Sequence, residues 1–150
     1  MAREDFFSRL SALSKQLGID LQEVQLQQFY SYYTLLVEKN KVMNLTAITE
    51  EDDVIVKHFI DSLAMAKLNV SRETFSNWIE GKRCMDVGTG AGFPGLAIKI
   101  AFPSISLSLS DSLQKRIHFL EEVVQKLELK GVDFHHGRAE DLGKKPELRE

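Results

Sequence analysis

Residues 85–95 of the chain read MDVGTGAGFPG, and four glycines fall within the eight positions 88–95. Two kinds of nucleotide-binding turn have this spacing. From Gly90 onward, the letters G-A-G-F-P-G match a turn that binds the pyrophosphate of a dinucleotide such as NAD. From Asp86 onward, the letters D-V-G-T-G-A-G match a turn that binds S-adenosylmethionine. In both cases the glycines let the backbone turn sharply and approach the ligand closely.

An alternation of strand and helix patterns surrounds this turn. The predicted elements are a strand at 84–87, a helix at 93–102 with Pro94 in its first turn, a strand at 105–111, an amphipathic helix from Leu113 with Gly131 at its C-cap, and a strand at 132–136. Such alternation implies right-handed crossovers and a parallel sheet, so the predicted fold class is α/β. Because three strands form only the first half of a Rossmann-like sheet, we expect the chain to be part of a longer protein.

The first eighty residues have helical patterns. We therefore assign 1–80 to an N-terminal helical region and 81–150 to the first half of an α/β domain. The predicted apolar helix faces comprise Phe6, Leu10, Leu13 and Leu17; Val24, Leu26, Phe29, Tyr33 and either Leu36 or Val37; and Val54, Ile55, Phe59, Leu63 and Ala66. Asp20 and Glu23 have the spacing of a capping box, which predicts that the second helix begins there.

Composition and charge exclude several classes of protein. With 43% hydrophobic and 27% charged residues, and with its longest apolar stretch interrupted by Lys99, the chain is not expected to span a membrane. The acidic start argues against a secretory signal and the single cysteine, Cys84, against disulfides, so we expect a cytoplasmic location. Residues 1–80 carry 8 basic and 12 acidic side chains, and residues 81–150 carry 11 and 10. Non-specific coating of nucleic acid is therefore not expected, and RNA would be recognised by local patches.

Polar side chains at the C-terminal ends of three predicted strands favour S-adenosylmethionine over a dinucleotide. Asp86 would repel a pyrophosphate, whereas its charge suits a ligand with an ammonium and a sulfonium group. Asp111, 21 residues after Gly90, is placed to accept both ribose hydroxyls of either cofactor. The loop at 139–141 is placed to meet an adenine edge. The alternative is that both aspartates cap helices and that the glycines only close a tight turn.

The segment DVGTGAGFPG, followed by DSLQKRIHFLEEV and GRAED, resembles the bacterial small-subunit ribosomal RNA guanine methyltransferases, the glucose-inhibited division protein B family. EKNKVMNLTAI and VIVKHFIDSLA resemble the N-terminal helical region of that family. The resemblance implies a class I S-adenosylmethionine-dependent methyltransferase fold with an N-terminal helical extension, and donor contacts by Gly88, Phe93, Ala139 and Glu140. Together with the turn pattern, the predicted donor-binding residues are Asp86, Gly88, Gly90, Gly92, Phe93, Asp111, Ala139 and Glu140.

The same resemblance implies methyl transfer from S-adenosylmethionine to ring nitrogen 7 of a guanine in 16S ribosomal RNA, with the small ribosomal subunit as partner. This nitrogen has a lone pair and no proton, so we assign no catalytic base. The residues alone leave the acceptor open, because the fold determines the donor and not its substrate. A methyltransferase with another acceptor, an NAD-binding oxidoreductase and an inactive fragment remain alternatives. The sequence defines no oligomeric state.

Three polar residues, His58, Asp61 and Ser62, share one face of a predicted helix. One interpretation places them at the rim of the donor pocket, together with Asn40 and Asn44. The other is a histidine held by the aspartate of its own helix, which locks the N-terminal helices onto the sheet. The sequence does not decide between the two.

Other polar and aromatic residues are possible metal or RNA ligands by their chemistry. No metal site is predicted, because His135 and His136 alternate across a strand and face opposite ways. Candidate phosphate contacts are Lys82, Arg83, Lys115, Arg116, His118, Lys144 and Lys145, with a solvated helix face as the alternative for the residues after Asp111. The aromatic residues Phe29, Tyr30, Tyr32 and Tyr33 have mostly the spacing of core residues. An exposed Tyr30 or Tyr32 would be able to stack on a base, but such stacking is not predicted.

Overall fold

The computed structural model describes residues 3–43, 45–46, 50–67, 83–87 and 90–137. The elements are α1 (Arg3–Gln16), α2 (Glu23–Met43), α3 (Glu51–Asp53), a π-helical segment (Val54–Ile60), α4 (Asp61–Lys67), β1 (Arg83–Val87), α5 (Gly95–Ala101), β2 (Ser106–Asp111), α6 (Gln114–Leu127) and β3 (Val132–His136). Helices are therefore followed by a strand–helix–strand–helix–strand unit, and the α/β prediction is confirmed. Within the described ranges, none of the helices combines the length and the apolar character that crossing a bilayer requires.

The three strands form one parallel sheet in the order β1-β2-β3. Val87 of β1 is opposite Ser110 of β2, and Asp111 of β2 is opposite His136 of β3. Because parallel strands end at the same edge, the C-terminal ends of β1, β2 and β3 lie side by side. All three strands lie within one residue of their predicted positions.

Two glutamines of α2 attach the N-terminal helices to the α/β part. The side-chain nitrogen of Gln25 donates to the carbonyls of Ile100 at 2.9 Å and Ala101 at 3.1 Å. The side-chain nitrogen of Gln28 donates to the carbonyl of Leu127 at 2.9 Å. These carbonyls belong to the last turns of α5 and α6, where a helix leaves its acceptors without internal partners. Helix α2 therefore caps the C-terminal ends of both crossover helices.

The buried apolar residues form one cluster that spans the helical region and the α/β part. Phe29 and Phe59 from the helical region and Leu96, Leu109 and Leu120 from the α/β part are all 0% exposed and belong to it. The predicted boundary at residue 80 lies outside the described residues. The division into 1–80 and 81–150 remains a prediction, but the two parts that are described share one core.

The start and the buried face of α2 differ from the prediction. The helix begins at Glu23, not at Asp20, and the side chain of Gln25 accepts the N–H of Gln22 at 2.7 Å. Val24, predicted to be buried, is 65% exposed. The face toward α5 and α6 carries Gln25 instead, because the polar carbonyl ends of α5 and α6 require donors there.

The C-terminal end of α6 also differs from the prediction. The helix ends at Leu127, and Glu128 adopts the left-handed conformation with φ 57°. Gly131 has φ 78° but lies three residues later, where its carbonyl accepts the N–H of Leu107 at 2.9 Å. Gly131 therefore directly precedes β3, at the end of the sheet opposite the glycine turn.

Candidate donor site at the glycine turn

The glycine turn connects β1 to α5 at the C-terminal edge of the sheet. Gly90 has φ 59° and Gly92 has φ 102°, both in the region that favours glycine, and the Phe93–Pro94 peptide bond is cis. Helix α5 begins at Gly95, with Pro94 as its N-cap residue, so the helix starts two residues later than predicted. The turn that these residues form, 90–94, is the candidate site.

Two glycines of the motif, Gly92 in the turn and Gly95 at the start of α5, are required by packing inside the protein. A Cβ atom on Gly92 would overlap the hydroxyl of Tyr32 and lie 2.9 Å from Cδ1 of Leu96. A Cβ atom on Gly95 would lie 2.8 Å from Oδ2 of Asp86. These contacts are closer than real Cβ atoms make, so both positions exclude a side chain for reasons that involve no ligand.

Gly90 has a different environment. A Cβ atom on this residue would have no protein atom within 4 Å, so the space in front of it is open. Its N–H donates to Oδ2 of Asp111 at 2.9 Å. Of the turn glycines described, Gly90 is therefore the one that leaves room for a ligand to approach the backbone.

Both predicted acidic residues bind backbone N–H groups beside the turn. Oδ2 of Asp86 accepts the N–H of Gly95 at 2.9 Å. Asp111 is 2% exposed, and its Oδ1 accepts the N–H of Leu113 at 2.9 Å and lies 3.6 Å from Nη1 of Arg116. The helix-capping alternative thus describes part of what each carboxylate does. A donor-binding role for Asp86 and Asp111 stays a prediction.

Tyr32 reaches the turn from the middle of α2, a role that the sequence did not reveal. Its side chain is 0% exposed, and its hydroxyl donates to the carbonyl of Ala91 at 2.5 Å. Burial raises the pKa of Tyr32 well above its ordinary value, and the charge of Asp86 raises it further, so the hydroxyl is a neutral donor. Because tertiary packing buries Tyr32, this side chain is not available to stack on a base.

The ring of Phe93 is stacked between two rings of the N-terminal region. His58 lies parallel to it at 4.3 Å between ring centroids and an angle of 4°, and Tyr32 lies at 5.2 Å and 16°. Nε2 of His58 is 2.8 Å from Oγ1 of Thr46, whose N–H donates to Oδ1 of Asn40 at 2.8 Å. The predicted polar cluster therefore reaches the turn through the imidazole ring of His58.

Burial and a nearby charge act in opposite directions on His58. Burial lowers its pKa from 6.5, and the negative charge of Asp61 opposes this effect without cancelling it. The hydroxyl of Ser62 donates to the backbone carbonyl of His58 at 2.5 Å, so the third member of the cluster supports the helix rather than the imidazole. Asn44 lies outside the described residues.

The wide helical turn that carries His58 was not predicted. Residues Val54–Ile60 are π-helical, and this segment presents both His58 and Phe59 to Phe93, with 5.7 Å between the centroids of the last two rings. π-Helical turns are frequent at functional sites. No glycine or proline marks this one, so the sequence offered no signal for it.

The remaining predicted ligands are distributed as follows. Gly88, Ala139 and Glu140, together with the side chains of Lys82, Arg83, Lys144 and Lys145, lie outside the described residues. Lys115 and His118 are exposed on α6, and His118 lies 3.4 Å from Glu121. Nε2 of His136 is 2.9 Å from the carbonyl of Ser112. In the part of the chain that is described, no group of three or more histidine, cysteine, aspartate or glutamate residues is arranged to hold a metal ion.

Comparison with solved structures shows the class of fold. The chain is similar to a candidate protein-L-isoaspartate O-methyltransferase from Plasmodium falciparum, solved in complex with S-adenosyl-L-homocysteine. The TM-score is 0.50 at 13% identity, over 95% of this chain and 66% of that chain. At such low identity the similarity concerns the fold alone. The architecture is that of the class I methyltransferases, of which the described part contains three parallel strands.

Sequence comparison shows the family. Residues 25–149 match the family model of GidB, described as rRNA small subunit methyltransferase G, and the chain belongs to this family. It is 49% identical over 154 residues to the ribosomal RNA small subunit methyltransferase G of Leuconostoc mesenteroides subsp. mesenteroides, covering 100% of this chain and 59% of that protein. It is 50% identical over 136 residues to the protein of the same name from Lachnoclostridium phytofermentans, covering 91% of this chain and 53% of that protein. The chain thus spans a little more than half the length of these relatives, and the family resemblance is confirmed.

Proposed function

We propose that the glycine turn binds S-adenosylmethionine and that the whole protein transfers its methyl group to ring nitrogen 7 of a guanine in 16S ribosomal RNA. One observation carries the donor-binding part: Gly90 faces open space at the C-terminal edge of a parallel sheet, with the carboxylate of Asp111 on its N–H. This edge is where α/β sheets bind nucleotide ligands. Membership of the GidB family supports the acceptor.

The chemistry of the site fits a cationic nucleoside better than a dinucleotide. Asp86 places a carboxylate beside the turn, where its negative charge would repel a pyrophosphate, whereas Asp111 would suit the ribose of either cofactor. Each carboxylate oxygen can accept a second hydrogen bond. Asp111 can therefore accept ribose hydroxyls while it still accepts the N–H groups of Gly90 and Leu113. Asp86 would face the ammonium or sulfonium group. The family resemblance adds Gly88, Phe93, Ala139 and Glu140 as proposed donor contacts, and the turn pattern adds Gly92.

The contribution of the chain to the reaction is orientation. The bound donor supplies a methyl group on a positively charged sulfur, which a guanine nitrogen with a free lone pair can attack without a base. The turn must then hold this methyl group in line with the nucleophile, and such positioning is worth on the order of 7–11 kcal/mol in favourable cases. Its own anchors, the Asp111–Gly90 and Tyr32–Ala91 hydrogen bonds, restrict the turn before a ligand arrives.

The proposed partner is 16S ribosomal RNA or the small ribosomal subunit, which places the protein in the cytoplasm. Lys115 and His118 are exposed on α6, directly after the strand end that carries Asp111, and are proposed to contact phosphates. We also propose that 1–80 is the helical region and 81–150 the first half of the donor-binding domain. A methyltransferase of the same fold with another acceptor is the alternative.

Calorimetric titration of the chain with S-adenosylhomocysteine, with NAD as the control ligand, tests the donor assignment. We expect binding of S-adenosylhomocysteine and none of NAD. Binding of NAD alone would contradict the proposed donor site. So would the absence of any S-adenosylhomocysteine binding to a chain that is shown to be folded. The acceptor is tested with the full-length protein, by transfer of a labelled methyl group to unmodified small subunits and mapping of the modified base.

A further inference from the structure

Tyr32 fixes a carbonyl that lies between two conformationally free residues. Its hydroxyl donates to Ala91, which is flanked by Gly90 at φ 59° and Gly92 at φ 102°. Glycines rotate more freely than other residues, so the peptide planes of this turn have little intrinsic preference for one orientation. A hydrogen bond from a fully buried side chain 59 residues away restrains the Ala91 carbonyl within the turn.

Tyr32 also contacts the two turn residues that follow Ala91. Its hydroxyl occupies the space where a side chain of Gly92 would lie, and its ring stacks on Phe93 at 5.2 Å between centroids. Three consecutive residues of the turn, 91–93, therefore rest on one side chain of α2. The glycine turn is therefore positioned by α2 as well as by the sheet that it follows.

We propose that Tyr32 is a positioning residue of the donor site, which orients the turn at 90–93 through its hydroxyl and its ring. The inference rests on the proposed donor-binding function of the turn. Tyr32 acts through Ala91 and Phe93 rather than by touching the donor. The N-terminal helical region thereby becomes part of the donor site, in addition to any contact that it makes with RNA.

The substitution Tyr32→Phe tests this inference because it removes the hydroxyl and keeps the ring, its volume and its stacking on Phe93. We expect the dissociation constant for S-adenosylhomocysteine to rise about tenfold, because a turn released from the Tyr32 hydroxyl must be ordered when the ligand binds. In the ligand-free chain, deuterium exchange of the amides at 90–95 should become faster, while exchange within β2 and α6 stays unchanged. Affinities are compared at a temperature at which circular dichroism shows both proteins fully folded.

Tyr33→Phe is the matched control. Tyr33 follows Tyr32 on the same helix, and its ring packs against Phe6 at 5.7 Å and Tyr30 at 6.3 Å, within the aromatic cluster of α1 and α2. Deleting this hydroxyl should leave both the donor affinity and the exchange of the turn within about twofold of the parent, because exposed or half-buried sites contribute little.

The outcomes separate this inference from the proposed function. If the parent binds S-adenosylhomocysteine and Tyr32→Phe binds it equally well, Tyr32 does not position the turn and the inference is overturned. It is also overturned if Tyr33→Phe weakens binding as much, or if Tyr32→Phe unfolds the chain, since Tyr32 would then serve stability in general. If the folded parent does not bind, the proposed donor site fails. The exchange of residues 90–95 then decides whether Tyr32 orders the turn, and unchanged exchange contradicts it.

Discussion

Gly90 and Gly131 have the same backbone requirement in different surroundings. Their φ angles are 59° and 78°, and a Cβ atom would meet nothing within 4 Å at Gly90 and only ordinary contacts, the nearest at 3.4 Å, at Gly131. Alanine at either position should cost about 1–2 kcal/mol of stability, because both residues are left-handed. The two lie at opposite ends of the sheet, and only Gly90 faces the proposed donor.

The substitutions Gly90→Ala and Gly131→Ala should therefore separate binding from stability. We expect similar decreases in the free energy of unfolding, measured with urea. We expect a decrease of about tenfold or more in affinity for S-adenosylhomocysteine only for Gly90→Ala, whose methyl group would enter the open space and displace the ligand. Equal affinities in the two variants would show that the space in front of Gly90 is not used.

His58 makes stability depend on pH in a predictable direction. Its pKa is lowered from 6.5 by burial, despite the charge of Asp61. Between the lowered value and 6.5, the unfolded chain binds more protons than the folded chain, so the free energy of unfolding falls as the pH falls through this window. Above the ordinary pKa the full stability is present.

Replacing His58 with phenylalanine should remove this part of the acid sensitivity, because the planar ring on Phe93 is kept and the titrating group is lost. The measurement is urea unfolding at a series of pH values from 7 to 5. The variant should show a smaller loss of stability than the parent over this range, although it lacks the contact with Thr46. An equal loss of stability in the parent and the variant over this pH range would show that His58 is not a source of the acid sensitivity.

At the scale of elements, Gln25 joins two helices. It accepts the N–H of Gln22 at the start of α2 and donates to the carbonyls of Ile100 and Ala101 at the end of α5, while being only 9% exposed. Gln25→Ala leaves these buried groups unpaired and should destabilise the chain by about 1–3 kcal/mol. Thermal and urea unfolding measure the change.

Gln27 provides the comparison on the same helix. Its side-chain oxygen accepts an exposed, long hydrogen bond of 3.4 Å from Arg3. Gln27→Ala should change the stability by no more than about 0.5 kcal/mol, since exposed contacts of this kind contribute little. If both alanine variants were equally stable, the bonds of Gln25 to α5 would not contribute to the fold.

The strands and most of the buried apolar helix residues, such as Phe29 and Phe59, were predictable, whereas the side chains with polar groups on the buried face of α2 were not. Both results have one physical reason. A strand such as Ser106–Asp111 is determined by local alternation between turn residues, and its pattern is complete within the segment. The buried face of α2 depends on partners far along the chain: Gln25 is buried because helix ends need donors, and Tyr32 because Ala91 needs one. Such contacts depend on residues that are distant in sequence, so the periodicity of apolar residues within one helix cannot predict them.

The same distinction between local and tertiary features determines which parts of the candidate site were predictable. The sequence located the turn and the aspartates at the strand ends, because glycine spacing and strand termini are local features. It did not reveal that Gly92 makes room for Tyr32 or that His58 stacks on Phe93. Both contacts join the helical region to the turn across the core, and they become visible only when the fold brings the elements together.

At the scale of the whole molecule, the helical region and the α/β part are expected to unfold together. Their buried residues form one cluster, and α2 supplies hydrogen bonds to the ends of α5 and α6 and to the turn. Neither part can lose its structure without exposing apolar residues of the other, such as Phe29 or Leu96, which are both 0% exposed. A shared core of this kind produces a single cooperative transition.

Deuterium exchange at increasing urea concentrations tests this expectation element by element. The amides of α2 and of β2 should lose protection at the same urea concentration and with the same dependence on urea, because one global opening exposes both. Gln25→Ala should shift both elements equally. If α2 opened at lower urea than β2, residue 80 would mark a boundary between independently stable units. The turn at 90–93 would then lose its contacts with Tyr32 and His58 while the sheet remained folded.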